Sequence, residues 1–121
     1  MLTEIRETRQ IPGEGFRRWF TDVRMDLIVW YTNKNGRIIG FQLCYDKDED
    51  EKALTWTRDA GFTHERVDDG GDRGYSHKGT PLLLPDGEFH PDRVLRDFIL
   101  LADEIEEPLR RFVVEVLEHY R

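Results

Sequence analysis

The segment from His64 to His77, HERVDDGGDRGYSH, gathers the residue types that bind metals or transfer protons. It holds two histidines, one glutamate and three aspartates within fourteen residues. Zinc sites need closely spaced ligand pairs, such as C-x₂-C or H-x₃-H, and these histidines stand thirteen positions apart with no cysteine near them. The central DDGGD is typical of turns. We therefore interpret the segment as a solvated loop and predict no structural metal and no cofactor.

A second acidic run follows the D-x-D-x-D spacing that opens a calcium-binding loop, with Asp46, Asp48 and Asp50 at the three positions. The match then fails, because Glu51 stands where the loop requires glycine and Thr57 stands where it requires glutamate. We interpret the run as the acidic end of a hairpin, which keeps neighbouring chains off the sheet edge.

The candidate ligand-binding residues are Gln42, Cys44, Trp56 and His64. Polar groups beside a tryptophan on a sheet can line a ligand platform, and a thiolate within reach of an imidazole can act as a nucleophile. The alternative is that Cys44 is a small buried residue and the other three are ordinary surface or interface residues. This alternative is favoured, and no catalytic residue is assigned, because GxSxG, Walker, HExxH and GxGxxG motifs are absent from the sequence.

The elements that would position these residues begin with a β-hairpin around Asn35-Gly36. The flanking runs, DLIVWYT at 26–32 and RIIGFQLCYD at 37–46, are rich in β-branched and aromatic residues. A two-residue loop places Trp30 opposite Phe41, and a four-residue loop shifts the pairs by two and leaves the faces unchanged. The predicted core face carries Ile28, Trp30, Ile39, Phe41 and Leu43.

The other face of this hairpin is also apolar. Its members are Leu27, Val29, Tyr31, Ile38, Gly40, Gln42 and Cys44. Because two helices can cover only one sheet face, the apolar members of this second face predict an interface with another copy, or a surface hidden by the N-terminal arm. These predicted interface residues are Leu27, Val29, Tyr31 and Ile38.

The rest of the chain predicts an α+β fold. ALTWTR at 53–58 and FTHERV at 62–67 form a second hairpin, in which Trp56 lies opposite His64, and TPLLLP at 80–85 is a short strand. Apolar residues then recur at helical spacing after Pro91 and again after Pro108. We predict an antiparallel meander of about five to six strands, followed by a C-terminal helical hairpin packed on one sheet face.

Domain organisation follows from the distribution of polar residues. Residues 1–15 are polar and rich in turn formers, and they predict an N-terminal arm. Residues 16–121 show no shift in composition and no internal repeat, so they predict a single α+β domain.

Charge and cysteine content limit the partners. The formal net charge of −7 and the pI of about 5.1 disfavour DNA and anionic membranes, and the basic stretch 17–20 is short. The single cysteine suits a reducing compartment, and neither a signal peptide nor a membrane span is apparent. We expect a cytoplasmic protein that binds neither nucleic acid nor membrane.

Several segments together resemble a set of small bacterial proteins of unknown function. These are RRWF at 17–20, DLIVWY at 26–31, GFQLCYDK at 40–47, ALTWTR at 53–58 and RVDDG at 66–70. The resemblance covers most of the chain from about residue 16 onward. It implies a free-standing bacterial single-domain protein, and it implies no activity, ligand or catalytic residue.

Three functions compete at this point. The leading prediction is a non-enzymatic binding or interaction protein that forms a homodimer or binds another protein. The first alternative is a small enzyme or ligand-binding domain built around the four candidate residues. The second is an acidic inhibitor of a basic partner, similar to an antitoxin or immunity protein, because small size and negative charge suit that role.

Overall fold

The computed structural model describes residues 1–68, the backbone of 82–85, and residues 90–120. Seven strands lie side by side in sequence order, each antiparallel to the next. They are β1 (Thr3–Glu4), β2 (Phe16–Thr21), β3 (Met25–Tyr31), β4 (Ile38–Tyr45), β5 (Lys52–Thr57), β6 (Gly61–Asp68) and β7 (Leu82–Pro85). Two helices follow, α1 (Pro91–Leu101) and α2 (Glu107–Glu118). The predicted α+β class, antiparallel meander and C-terminal pair of helices are confirmed.

The β3–β4 hairpin contains a bulge that the sequence did not reveal. Its turn is the four-residue alternative, closed by a hydrogen bond from the Thr32 N–H to the Arg37 carbonyl at 2.9 Å. Tyr31 pairs with Ile38, but Trp30 pairs with Gly40, so Ile39 is an extra residue on β4. Because side chains alternate along a strand, one inserted residue in β4 reverses which of its later side chains lie on the same face as a given side chain of β3.

The predicted core face of this hairpin is therefore wrong for β3. Phe41 and Leu43 do face the helices, but they lie opposite Val29 and Leu27, and all four are fully buried. Ile28 and Trp30 point to the other side of the sheet, next to Gln42 and Gly40. The predicted interface is wrong for the same reason. Its four residues, Leu27, Val29, Tyr31 and Ile38, belong to the helix-covered core or pack against it.

The two helices form one core with this sheet face. Pro91 and Pro108 stand in the first turns of α1 and α2, where their missing N–H groups leave no helical hydrogen bond unmade. Phe112 meets Trp56 edge-on at 5.6 Å between ring centroids. Tyr120 meets Phe62 in the same way at 4.9 Å. The buried residues of the helices and their linker are Val94, Phe98, Ala102, Ile105, Leu109, Val113 and Leu117.

The second hairpin forms around residues 58–60, one position earlier than predicted. Trp56 pairs with Phe62, and His64 pairs with Leu54. Gly61 adopts a positive φ of 76°, which glycine allows without strain. The shift moves the pairs by two residues, so Trp56 and His64 still share one face, as predicted.

The N-terminal arm is bound along the outer edge of β2. Leu2 is fully buried in the core, and its N–H donates to the Leu101 carbonyl at 2.7 Å. The Gln10 side chain amide donates to the Arg17 carbonyl and accepts from the Arg17 N–H, both at 2.8 Å. This side chain thus replaces a neighbouring strand at that residue, which protects an edge that could otherwise pair with another chain.

Arg18 joins the arm, the sheet and the linker between the helices. Its guanidinium donates to Glu4 at 2.8 Å and to Glu106 at 2.5 Å. It also donates to the Tyr31 hydroxyl at 3.3 Å. The bonds from Arg18 hold the pKa of the Glu106 carboxyl below its usual value.

None of the helices in the described residues is long and apolar enough to cross a lipid bilayer. The predicted strand at 80–85 is present as β7, over Leu82–Pro85. The predicted glycine-rich loop falls on residues 69–81, which lie outside the described residues together with 86–89 and 121.

Candidate functional site

The sheet face opposite α1 and α2 is the candidate functional surface, and we name it the helix-free face. The pairing of β2 to β6 assigns its members, because directly opposed residues share a face. They are Arg17, Trp19, Thr21, Asp26, Ile28, Trp30, Gly40, Gln42, Cys44, Ala53, Thr55, Thr57, Gly61, Thr63 and Glu65.

Two tryptophans on neighbouring strands dominate one side of this face. Trp19 on β2 lies opposite Ile28, and Trp30 on β3 lies opposite Arg17. Both indole rings are only partly buried, and the Arg17 guanidinium lies 5.6 Å from the centre of the Trp19 ring. The Trp19 Nε1–H is itself buried and has no hydrogen-bond partner in the described part of the chain.

The middle of the face is polar and internally hydrogen-bonded. Gln42 Nε2 donates to Thr55 Oγ1 at 2.9 Å, and the Cys44 thiol lies 3.8 Å from Gln42 Oε1. Burial raises the pKa of the Cys44 thiol to about 12, with smaller contributions from Glu51 and Asp26. A thiol with this pKa stays protonated near neutral pH, which disfavours the nucleophile considered from the sequence.

The four candidate ligand-binding residues do not converge. Gln42 and Cys44 lie on the helix-free face, whereas Trp56 and His64 lie on the face beneath the helices. Trp56 packs against Phe41 at 5.8 Å between ring centroids. His64 stacks on Tyr45 at 5.8 Å, and its Nε2 contacts the Tyr45 hydroxyl. The sheet therefore separates the two pairs.

A shallow cleft lies on the helix-covered side, near the ends of β4 and α1. It is lined by Arg24, Met25, Tyr45, Asp46, Asp48, Asp97 and Leu101. Two of its three carboxylates are paired, since Arg93 donates to Asp46 at 2.9 Å and to Asp97 at 3.4 Å. Among the described residues, no three acidic, histidine or cysteine side chains are grouped so that they could hold a metal ion.

Side-chain size is graded across the helix-free face. The half on β2 and β3 carries the bulky residues Trp19, Ile28 and Trp30. Apart from Glu65, the half on β5 and β6 carries short side chains, and of these Thr55 and Thr57 are partly buried while Thr63 is exposed. The sheet thus presents a bulky half and a small half on the same side.

The charged members of the helix-free face are also divided between its two halves. Arg17 lies on β2 opposite Trp30, and Glu65 lies on β6 between Ala53 and Pro85 of the neighbouring strands. Glu65 makes no ion pair within the described part of the chain. The third charged member, Asp26, is neutralised by Lys47 at 2.8 Å.

No protein-family model, curated protein sequence or solved structure matches this chain.

The residues that distinguish the helix-free face were not selected from the sequence. A period-two signal was present in RRWFT, because strict alternation puts Arg17 and Trp19 on one side of β2 and Arg18 and Phe20 on the other. The pattern does not say which side the helices cover. That assignment required the pairing with β3.

Proposed function

We propose that this protein is a non-enzymatic interaction protein that binds a protein partner through the helix-free face. The observation that carries the proposal is the pair Trp19 and Trp30, which neighbouring strands hold partly buried on a face that neither helix covers. Tryptophan is enriched among the residues that dominate binding energy, because its large ring buries much apolar area at a small cost in side-chain entropy.

The residues around the two tryptophans favour a protein partner over a small-molecule ligand. The Gln42 amide is already engaged by Thr55. The threonines of β5 and β6 are short, so they offer an extended contact area to a partner. We also propose a cytoplasmic location, because a chain with a single cysteine suits a reducing compartment.

The experiment is site-specific photo-crosslinking in cells that express the protein natively. A photoreactive amino acid replaces Thr63, which is exposed on the helix-free face, or Arg111, which is exposed on α2. We expect a discrete crosslinked adduct from position 63 and none of the same mass from position 111. The proposal is rejected if position 63 gives no adduct, or if both positions give the same one.

A further inference from the structure

We infer that the partner docks by adding an extended peptide segment to the outer edge of β2, and that residues 5–15 of the arm are a strap released from that edge when it docks. The inference rests on the proposed function. The strap covers the edge with a side chain, Gln10, at a position where a sheet would place the backbone of a neighbouring strand. The chemistry that Gln10 supplies there identifies the kind of segment that can replace it.

The Gln10 side chain carries the same donor and acceptor as a peptide group. Its carboxamide donates to the Arg17 carbonyl and accepts from the Arg17 N–H, both at 2.8 Å. Two residues that form a hydrogen-bonded pair across an antiparallel sheet exchange the same two bonds. A peptide backbone that displaces Gln10 therefore conserves both hydrogen bonds at Arg17, and no buried donor or acceptor is left unsatisfied.

The strap is held by polar contacts and buries no apolar side chain. All of its residues except Thr8 are exposed. Its two isoleucines, Ile5 and Ile11, are 40% and 37% exposed. Segments that depend on exposed hydrogen bonds and bury little apolar area open locally, at a free energy well below that of global unfolding. Release of the strap therefore costs little compared with unfolding of the domain.

The first residues of the arm are fixed separately and stay in place when the strap opens. Leu2 is fully buried in the core. β1 pairs with the end of β2, and Glu4 accepts from the Arg18 guanidinium at 2.8 Å. Opening of the strap therefore frees the edge of β2 only as far as Trp19, and the arm remains tethered.

A segment added at this edge extends the helix-free face. Ile5 follows β1 directly, and its N–H donates to the Trp19 carbonyl at 2.8 Å. Directly opposed residues share a face, so the residues of an incoming segment that pair with Arg17 and Trp19 lie on the helix-free face. The partner is therefore an extended segment with an apolar residue opposite Trp19, in the place that Ile5 leaves.

Amide hydrogen exchange of the full chain tests the release of the strap. The Arg17 amide should exchange about a hundredfold faster or more than the Val29 amide of the central strand β3, because its opening is local. Gln10→Ala should accelerate exchange at Arg17 by a further factor of about ten, since it removes the acceptor. Equal exchange rates at Arg17 and Val29 in the wild type would overturn the inference.

The matched control for Gln10→Ala is Glu14→Ala in the same strap. Glu14 is exposed, and its side chain makes no ion pair among the described residues. Glu14→Ala should leave the exchange rate at Arg17 unchanged. An equal acceleration by both substitutions would show that Gln10 does not hold the strap, and it would overturn the inference.

Photo-crosslinking from position 63 in cells tests the docking. Gln10→Ala should raise the yield of the partner adduct about threefold or more over Glu14→Ala, because a larger fraction of molecules then has an open edge. Arg17→Pro removes an N–H that faces away from β3, so β2 keeps its pairing with β3 and loses a donor at its edge. Its yield should lie about fivefold or more below that of Arg17→Ala, which loses the same side chain and keeps the N–H.

Two crosslinking results would also overturn the inference: Gln10→Ala that gives no more adduct than Glu14→Ala, or folded Arg17→Pro that gives as much as Arg17→Ala. If Arg17→Pro shows no cooperative thermal unfolding, the comparison of Gln10→Ala with Glu14→Ala decides. In each of these cases an adduct from position 63 of the otherwise unaltered protein leaves the proposed function standing. Absence of that adduct rejects the proposed function itself.

Discussion

Trp30 lies directly opposite Gly40, although the adjacent residue of its own strand, Tyr31, lies directly opposite Ile38. The residue left over is Ile39, whose carbonyl accepts from the Arg58 N–H at 3.0 Å. The Arg58 guanidinium donates to the neighbouring Ile38 carbonyl at 2.6 Å. Arg58, the residue that follows β5, thus hydrogen-bonds to the backbone carbonyls of Ile38 and Ile39 at the bulge. The bulge in turn determines which side chains of β3 face the helices.

Gly40 should be required at this bulge. A Cβ atom on residue 40 would lie 2.7 Å from the Trp56 carbonyl oxygen and 3.1 Å from Thr57 Cγ2. Because the nearest atom belongs to the backbone of β5, the strands must move apart to admit it. We expect Gly40→Ala to lower the free energy of unfolding by about 1–3 kcal/mol. Urea unfolding measures this, with exposed Thr63→Ala as a control that should cost less than about 0.5 kcal/mol.

The exchange of faces predicts unequal costs for two aromatic substitutions. Phe41 is fully buried under the helices, so Phe41→Ala should cost about 3–5 kcal/mol of unfolding free energy. Trp30 is partly buried on the helix-free face, and Trp30→Ala should cost about 1–2 kcal/mol because less apolar area leaves the interior. Denaturant unfolding of both variants gives the comparison. A larger loss of unfolding free energy for Trp30→Ala than for Phe41→Ala would mean that the side of β3 that carries Trp30 packs against the helices.

The ion pair between Arg18 and Glu106 predicts a pH-dependent contribution to stability. Arg18 lowers the pKa of the folded Glu106 carboxyl. The stabilisation is therefore fully present above the unfolded pKa of about 4.3, and it is lost as the pH falls through the lower folded pKa. The Glu106 side chain is 48% exposed, so Glu106→Gln should cost less than about 1 kcal/mol at pH 7.

The measurement for this pair is urea unfolding between pH 7 and pH 3. The unfolding free energies of wild type and Glu106→Gln should draw together towards the acid end, as Glu106 becomes protonated through its lowered pKa. Glu104→Gln in the same linker is the control and should parallel the wild type, because Glu104 is exposed and makes no ion pair among the described residues. A difference that persists unchanged at pH 3 would point to packing or hydrogen bonding instead of charge.

The Cys44 thiol should be unreactive in the folded protein. Its pKa of about 12 leaves very little thiolate at pH 8, and the side chain is 9% exposed. We expect reaction with a disulfide reagent to be at least a hundredfold slower than in denaturant, where the thiol regains its usual pKa of about 8.5. The absorbance of the released thiol gives both rates. Similar rates with and without denaturant would contradict the burial of Cys44.

Much of the fold could be predicted from the sequence because its signals are local. The Asn-Gly turn, the apolar strand runs and the glycine-ended second turn identify the two hairpins from neighbouring residues alone. The prolines at positions 91 and 108 and the apolar spacing that follows them identify the helices in the same way. Strands first and helices afterwards then leave an α+β meander as the simplest arrangement.

The functional surface was decided only by the tertiary structure. Both sides of β3 are apolar, so hydrophobic alternation could not say which side the helices cover. The answer depends on one inserted residue, Ile39, whose bulge is held by contacts from β5, about twenty positions later in the chain. Long-range pairing of this kind leaves no local pattern, and it placed Trp30 on the helix-free face and Val29 in the core.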